Sequence, residues 1–523
     1  MVETDTIRLR RLTGIVLLAA AVIRAALVLQ PACIDRNGVQ LIEFSRRMET
    51  NLSEAMRVTT RQPGYSLLLL WTHRTIGTLV GGDTPEAWQR CGELIAMIGG
   101  IGVCLAIVLL TRKLFDEHTA LAAAVLVAIW PQGAHLSAGV LSDMPHLALY
   151  LFALLLVYSA ILHRSPMRLA FGGALIGMAY LFKQEAISLF IASIICWWIS
   201  MKSAGGPRRI GGMLIMTGCF ALVIAPHSLA TDKWLPNKNP LDLLKLLGGA
   251  GDSSPGILAY VLPWWKTPGR FLEECLRSGR YVFAILFLVG ALVRHARKSQ
   301  NQGKFLLLTC ATVYVILLQI RAMVYGEISE RYAAIPAVLM IPWAASGWLA
   351  LMELARSRLQ NTPHAVRFSV IRFLLLLIPL PAAVYLARPV YAGKNHYREA
   401  GIQLRQMAQP DDRILAHEHL EQIMFYAGRT FPSNLWVKGR RSDTQSRILR
   451  LIRGKKPAWY VDAQDSHRGQ LSEIAHFEWL ASQSSQFEKP VTYGPQGRHV
   501  HVYRVVSKSP RSPQRSATGP ARP

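Results

Sequence analysis

Residues 31–65 read PACIDRNGVQLIEFSRRMETNLSEAMRVTTRQPGY and close on Thr60-Arg61-Gln62-Pro63-Gly64-Tyr65. The stretch carries Asp35, Arg36, Glu43, Arg46, Arg47, Arg57 and Arg61, yet it lies between an apolar segment at 14–30 and a long series of further apolar segments. A polar insert in that position reads as a loop at a membrane surface. Its acid and its guanidinium groups make it the candidate catalytic loop.

The composition supports this. A chain of 523 residues could make several soluble domains. However, 51% of the residues are hydrophobic and only 17% are charged, and the apolar residues come in blocks. Blocks of about 20 residues match a hydrocarbon thickness of roughly 30 Å, and in lipid the backbone must pair with itself, as helices do. The expected fold is therefore a polytopic α-helical membrane protein with a polar C-terminal part. The first apolar segment lacks a small-residue cleavage site and reads as a retained span.

The net charge of +26 would suit nucleic acid only on a soluble basic face. Here many of the cations lie between apolar blocks, where they set topology; a subset of arginines on the opposite side suits a phosphate. Most of the seven cysteines lie in apolar segments, Cys33 and Cys275 lie near the surface, and no CxxC pair occurs. Neither a metal cluster nor a disulfide framework is indicated.

Arg8, Arg10 and Arg11 precede the first span, so the N-terminus is expected in the cytoplasm and residues 31–65 outside. Within that loop Leu41, Ile42, Met48, Leu52, Ala55 and Met56 recur at near-helical spacing. They predict an amphipathic helix on the bilayer with Arg46, Arg47 and Arg57 toward headgroups. The apolar run 66–80 is interrupted by His73-Arg74 and reads as interfacial or re-entrant, because a buried charge opposes a full crossing. Positive-inside bias then asks for roughly eleven spans. They fall near 14–30, 92–111, 119–135, 144–162, 169–182, 185–201, 210–230, 280–293, 305–320, 333–352 and 371–388. In the outer loop 231–279, Leu262-Pro263-Trp264-Trp265 reads as an interfacial aromatic anchor.

Past Pro389 the pattern changes. Helices are expected at 397–407, 420–427 and 442–453, and strands at 413–417, 458–462 and 499–505. Such alternation predicts a small extracytoplasmic α/β domain over 391–507, after a transmembrane domain over 1–390. Residues 508–523 are rich in Ser, Pro and Arg and read as a disordered basic tail.

The outer elements fall in a recognisable order. They are an acidic residue after the first span, a Pro-containing motif before the next apolar run, Pro131 with Ser142-Asp143-Met144-Pro145, Lys183-Gln184-Glu185, and Glu330-Arg331-Tyr332 with Pro336. This layout resembles the membrane glycosyltransferases of the GT-C fold, nearest to family 39, which includes protein O-mannosyltransferases and aminoarabinose lipid A transferases. The resemblance covers about residues 12–390 and rests on short motifs. It implies an inverting transfer of a sugar from a polyprenyl phosphate to a lipid, glycan or protein acceptor, on the outer face of a bacterial-type inner membrane. It implies catalytic roles for Asp35 and Asp143, with Asp35 as the general base or its close partner. Donor-phosphate contacts would come from Arg61, Arg331 and Lys183, with Glu185, Tyr65 and Tyr332 as further cavity residues. The sequence departs from the family at Arg36, where many members have Glu, and at Thr60 and Gln62. Metal binding through the missing Glu is therefore doubtful; no metal ligand is assigned, and divalent-metal dependence is left open.

The residue types fit that chemistry. An inverting transfer needs a base for the acceptor proton and cations on the leaving phosphate, where negative charge grows; arginine suits phosphate through its forked donors. Bland alternatives stand beside each assignment. Asp35 and Asp143 can cap helices, Arg61 can snorkel to headgroups, and Lys183 with Glu185 or Glu330 with Arg331 can be ordinary ion pairs. Gly99, Gly100 and Gly102 lie in an apolar span and suit close helix packing. The absence of a Walker pattern weighs against an ATP-driven transporter. A transporter or flippase of lipid-linked saccharide and a non-catalytic scaffold are the rival readings. The notable charges sit at span ends rather than midplanes, which favours the transferase.

Overall fold

The computed structural model describes residues 2–30, 33–59, 61–202, 206–231, 267–278, 281–294, 301–325, 329–360, 362–377, 379–386, 392–417, 420–429, 435–437, 444–465, 480, 482–483, 486–494 and 498–506. The aromatic anchor at 262–265 and the tail from Lys508 lie outside these residues. The chain forms two compact units. One comprises Met1–Pro31, Gln40–Asp83 and Ala87–Val390; the other comprises Ala32–Val39, Thr84–Glu86 and Tyr391–Pro523.

The first unit is helical. It contains α1 (Val2–Val28), most of α2 (Arg36–Thr50), α3 (Leu52–Val58), α4 (Gly64–Val80), α5 (Pro85–Leu114), α6 (Glu117–Ala128), α7 (Pro131–Leu136), α8 (Asp143–His163), α9 (Pro166–Phe182), α10 (Ile187–Ser200) and α11 (Gly206–Thr231). Further helices span Thr267–Ser278, Val282–Arg294, Asn301–Tyr325, Ala334–Arg358, His364–Leu377 and Pro379–Leu386.

Among the described residues six helices are long and apolar enough to cross a membrane: Asp5–Val28, Pro85–Leu114, Asp143–His163, Gly206–Thr231, Gly303–Ala322 and Glu330–Arg358. There are seven if the bent pair Pro268–Arg277 and Val282–Val293 is one span. The difference from eleven lies mainly in three shorter apolar helices, Glu117–Ala128, Pro166–Phe182 and Gln184–Ser200. At about 1.5 Å per residue these rise roughly 18–26 Å, less than a hydrocarbon core of about 30 Å. The run expected at 119–135 stops at Ala128 because Trp130 is extended (ψ 108°) and Pro131 opens α7. A proline disfavours helical backbone in the residue before it. In the run at 371–388 the described helices are His364–Leu377 and Pro379–Leu386.

Close packing of α5 on α8 sets the position of the polar residues between them. A Cβ at Gly99 would fall 2.5 Å from the Pro145 nitrogen, and one at Gly102 would fall 3.2 Å from Ala148 Cβ. Only a bare backbone at residue 99 lets α5 lie against the first turn of α8. In α4 the polar interruption is absorbed locally: the His73 ring stacks on Trp88 at 3.7 Å, and its Nε2 lies 3.0 Å from the Gly82 carbonyl oxygen. Arg46 does not face headgroups as expected. It lies 5.3 Å over the Trp88 ring and 3.6 Å from Asp83, because an aromatic face and a carboxylate are both within its reach.

The second unit carries a five-stranded sheet of β1 (Ile414–His417), β2 (Leu435–Val437), β3 (Trp459–Asp465), β4 (Val491–Tyr493) and β5 (Arg498–Arg504), in the order β2-β1-β3-β5-β4. β1 runs parallel to β2 and β3, while β5 runs antiparallel to β3 and β4. Ile448 and Ile452, on helix Thr444–Lys455, pack with Leu415, Tyr460 and Tyr503 of the sheet. Helices Asn395–Met407 and Glu421–Tyr426 meet closely at Gly401, where a Cβ would fall 2.5 Å from the Ile423 carbonyl oxygen. The Asp462 carboxylate is buried in β3. It accepts from the Tyr460 hydroxyl at 2.9 Å and lies 3.8 Å from Nε2 of His417. Glu418 and His419 lie outside the described residues.

Candidate active site

The charged residues of the first unit converge at the start of α8. Asp143 opens that helix, an end that favours an anion, and it is buried. Lys183 follows the last residue of α9, and its Nζ donates to Asp143 Oδ1 at 2.8 Å. Arg331, in a 3-10 turn at Glu330–Ala333, donates from Nη2 to Asp143 Oδ2 and from Nε toward Oδ1 at 3.4 Å. Both oxygens of one buried carboxylate are thus engaged by two cations. A second pair lies beside it: Arg321 Nη1 donates to Glu185 Oε1 at 3.2 Å. Tyr332 joins the pairs, since Arg321 donates to its hydroxyl, and Arg321 and Lys183 lie 4.4 and 5.7 Å from its ring centroid. Tyr314 donates to the Tyr332 carbonyl oxygen at 2.7 Å. A narrow recess is lined by Asp143, Lys183, Glu185, Tyr314, Arg331 and Tyr332, with His146, Met144, Leu147, Ala334 and Ile335 completing its wall.

The charge count of this cluster favours an anionic guest. Lys183, Arg321 and Arg331 face Asp143 and Glu185, a formal surplus of one positive charge. Each carboxylate already holds its cations in place, so the guest would meet oriented donors.

The structure therefore brings together Asp143, Lys183, Glu185, Arg331 and Tyr332. Tyr65 is buried, donates to the Gly92 carbonyl oxygen at 3.0 Å and feels the charges of both Glu93 and Asp143. Arg61 is bonded to the Gln40 side chain, and its backbone N–H donates to Thr59 Oγ1 at 3.3 Å. Asp35 belongs to the second unit. There its Oδ1 accepts from the Asn37 backbone N–H at 2.8 Å and from the Asn37 side chain at 3.0 Å, which is the geometry of a cap on α2. Its other oxygen makes no hydrogen bond among the described residues. The neighbouring backbone is pinned, since the Ile34 N–H donates to the Tyr426 hydroxyl at 2.8 Å and Gln422 donates to the Ile34 carbonyl oxygen. Arg36 pairs with Glu421 at 3.2 Å. Burial pushes the adjacent Cys33 thiol up to about 12, partly offset by Lys394 and Arg398. Among the described residues no three His, Cys, Asp or Glu side chains are placed to hold a metal ion.

Sequence reasoning missed Arg321, which reads as the start of an outer loop. Its helix continues to Tyr325, and Tyr314, Leu318 and Arg321 stand at i, i+4 and i+7 on one face, with the first two buried. That spacing is the signal that could have found it. Gln132, which donates to the Glu330 carbonyl oxygen, and buried Glu93, bonded by Gln89 at 2.7 Å, were also missed.

Known proteins share the fold. The family described as dolichyl-phosphate-mannose-protein mannosyltransferase matches residues 67–229. The apo oligosaccharyltransferase of Archaeoglobus fulgidus superposes with a TM-score of 0.59 at 15% identity, covering 96% of this chain and 75% of that one. ArnT from Cupriavidus metallidurans bound to undecaprenyl phosphate superposes with a TM-score of 0.58 at 13% identity, covering 94% and 97%. The chain has the GT-C fold. A third GT-C structure, A. fulgidus AglB with an inhibitory peptide and a dolichol-phosphate, gives a TM-score of 0.55 at 15% identity, covering 94% and 74%. No curated protein matches the chain significantly in sequence. The family match contains Asp143 and Lys183 but ends before Arg321 and Arg331, which only the fold comparison covers.

Proposed function

We propose that the protein is an inverting glycosyltransferase that takes a sugar from a polyprenyl phosphate at a membrane surface and passes it to a lipid, glycan or protein acceptor. The observation that carries this reading is the clamp of Lys183 and Arg331 on buried Asp143 within a cluster of surplus positive charge. A polyprenyl-phosphate sugar is a phosphodiester with one negative charge, which neutralises that surplus. As the glycosidic bond breaks, the leaving phosphate becomes a monoester and gains charge. Donors already aimed at the leaving oxygen stabilise it without reorganisation. In this scheme Asp143 holds the two cations, Arg321 and Glu185 fix the Tyr332 side of the recess, and a carboxylate takes the acceptor proton. Similarity to structures that hold undecaprenyl phosphate and dolichol-phosphate supports the donor class.

The finer topology belongs to the same proposal. The N-terminus lies in the cytoplasm of an inner membrane, residues 31–65 and 391–507 lie outside, and the short apolar helices complete roughly eleven crossings as parts of the bundle rather than as isolated spans.

Undecaprenyl phosphate is the probe for this reading. The full chain in detergent binds it measurably, by native mass spectrometry, and Lys183→Ala and Arg331→Met bind it at least tenfold more weakly. Equal binding by both folded variants would remove the phosphate from this recess. Mass analysis of glycans and lipids from cells with and without the gene identifies the sugar and the acceptor.

A further inference from the structure

Arg24 lies near the C-terminal end of α1, and its side chain is fully buried. No carboxylate pairs with it among the described residues. Its Nη1 donates to the Ala20 carbonyl oxygen in its own helix at 3.1 Å, its Nη2 donates to the Val127 carbonyl oxygen at 3.1 Å, and its Nε is buried without a hydrogen bond. An arginine this deep in an apolar bundle is costly unless its donors serve a purpose.

The Val127 end of the contact supplies that purpose. Val127 is in the last turn of α6, and its helical partner would be the N–H of residue 131. Residue 131 is proline and has none. An unsatisfied carbonyl within a membrane costs several kcal/mol; the Cys104 thiol reaches this oxygen only weakly, at 4.0 Å, and Arg24 provides the strong donor from another helix. The guanidinium also borders the next element. A Cβ at Gly100 of α5 would fall 3.1 Å from Arg24 Nε and 2.0 Å from Ser137 Oγ, so the cation, Gly100 and the end of α7 meet at one point. Ser137 in turn donates to the Gly133 carbonyl oxygen at 2.6 Å. Six residues after Ser137, α8 begins with Asp143.

We propose that Arg24 is a positioning residue: an intramembrane donor that replaces the N–H absent at Pro131, fixes where α6 ends and α7 begins, and so delivers Asp143 to Lys183 and Arg331. The link to Asp143 as the anchor of the phosphate-binding cations rests on the function proposed above; the link to the 129–142 segment does not.

Two measurements on the full-length protein in nanodiscs separate these. Amide exchange in Arg24→Met is expected to rise at least tenfold over 132–142 and to stay unchanged in Ala334–Arg358. In Arg24→Lys, which keeps a donor, it is expected within about twofold of wild type. Undecaprenyl phosphate binding is expected to weaken about fivefold or more in Arg24→Met and to recover in Arg24→Lys. Exchange in Arg24→Met that is unchanged, or raised uniformly across the bundle, would overturn the proposal. Should Arg24→Met not fold, Arg24→Met combined with Pro131→Ala, which restores an N–H at residue 131, decides: a folded protein with exchange over 132–142 within about twofold of wild type supports positioning, and failure to regain the fold refutes it. If the wild type does not bind the lipid phosphate, the donor reading fails by itself and the exchange measurement still decides on Arg24.

Discussion

Arg331→Met and Asp143→Leu should fail in different ways, because they change the net charge of the site in opposite directions. Removing Arg331 takes away the surplus cation but leaves Asp143 paired with Lys183 at 2.8 Å. Folding should change little, by about 1 kcal/mol, since the Arg331 side chain is 29% exposed and the buried carboxylate keeps a partner. Phosphate binding should suffer more. A hydrogen bond to a charged group contributes about 1.5–3 kcal/mol, which is roughly a 10- to 100-fold weaker Kd for undecaprenyl phosphate. Asp143→Leu has the reverse profile. It leaves Lys183 and Arg331 against each other with side chains only 18% and 29% exposed. Breaking a buried pair costs about 3–5 kcal/mol, and the residual exposure of the two cations sets the expectation at the lower end, about 3 kcal/mol. Lipid binding by native mass spectrometry and thermal melting in the same detergent separate the two quantities. If Arg331→Met binds the lipid within threefold of wild type while melting normally, the recess does not hold the phosphate. If Asp143→Leu melts like wild type, the carboxylate is not the anchor of the two cations.

Three further outcomes follow from other parts of the molecule. Gly99→Ala places a methyl group 2.5 Å from the Pro145 nitrogen and should cost about 1–3 kcal/mol by overpacking; unchanged melting would mean that α5 and α8 separate freely. The Cys33 thiol, pushed up to about 12 by burial, should carry roughly a thousandfold less thiolate than an ordinary cysteine; intact protein at about pH 8 should resist iodoacetamide at Cys33, as peptide mass analysis would show. Burial and the nearby His499 hold His501 below the ordinary histidine value of 6.5. The unfolded chain therefore takes up this proton first as pH falls, so the stability contribution is full above about pH 6.5 and is lost below it. Amide exchange in β5, corrected for intrinsic rate, should quicken between about pH 7.5 and 5.5, and His501→Gln should flatten that dependence.

Sequence alone was enough for the membrane class, for the helical fold and for the placing of Asp143, Lys183, Glu185 and Arg331 at the ends of apolar segments. Each of these follows from local rules: apolar length against bilayer thickness, and charge excluded from the middle of a span. Which of these charges meet was a different matter. Asp143, Lys183 and Arg331 are far apart in the chain, and no periodicity within one segment says that three segment ends converge on one carboxylate. Arg321 went unseen because it continues a helix one turn past the apolar run, where hydropathy falls but the backbone does not stop. The shortness of some apolar helices was hidden for a related reason: hydropathy registers an apolar block and not the extended Trp130 that Pro131 imposes inside it. The sequence also joined Asp35 to Arg61 as one loop, whereas the chain packs Ala32–Val39 with the C-terminal unit, through long-range bonds such as Ile34 to Tyr426. Apolar pattern is a property of a segment and can be read from it. The pairing of charges is a property of distances between segments, which only the packed bundle sets.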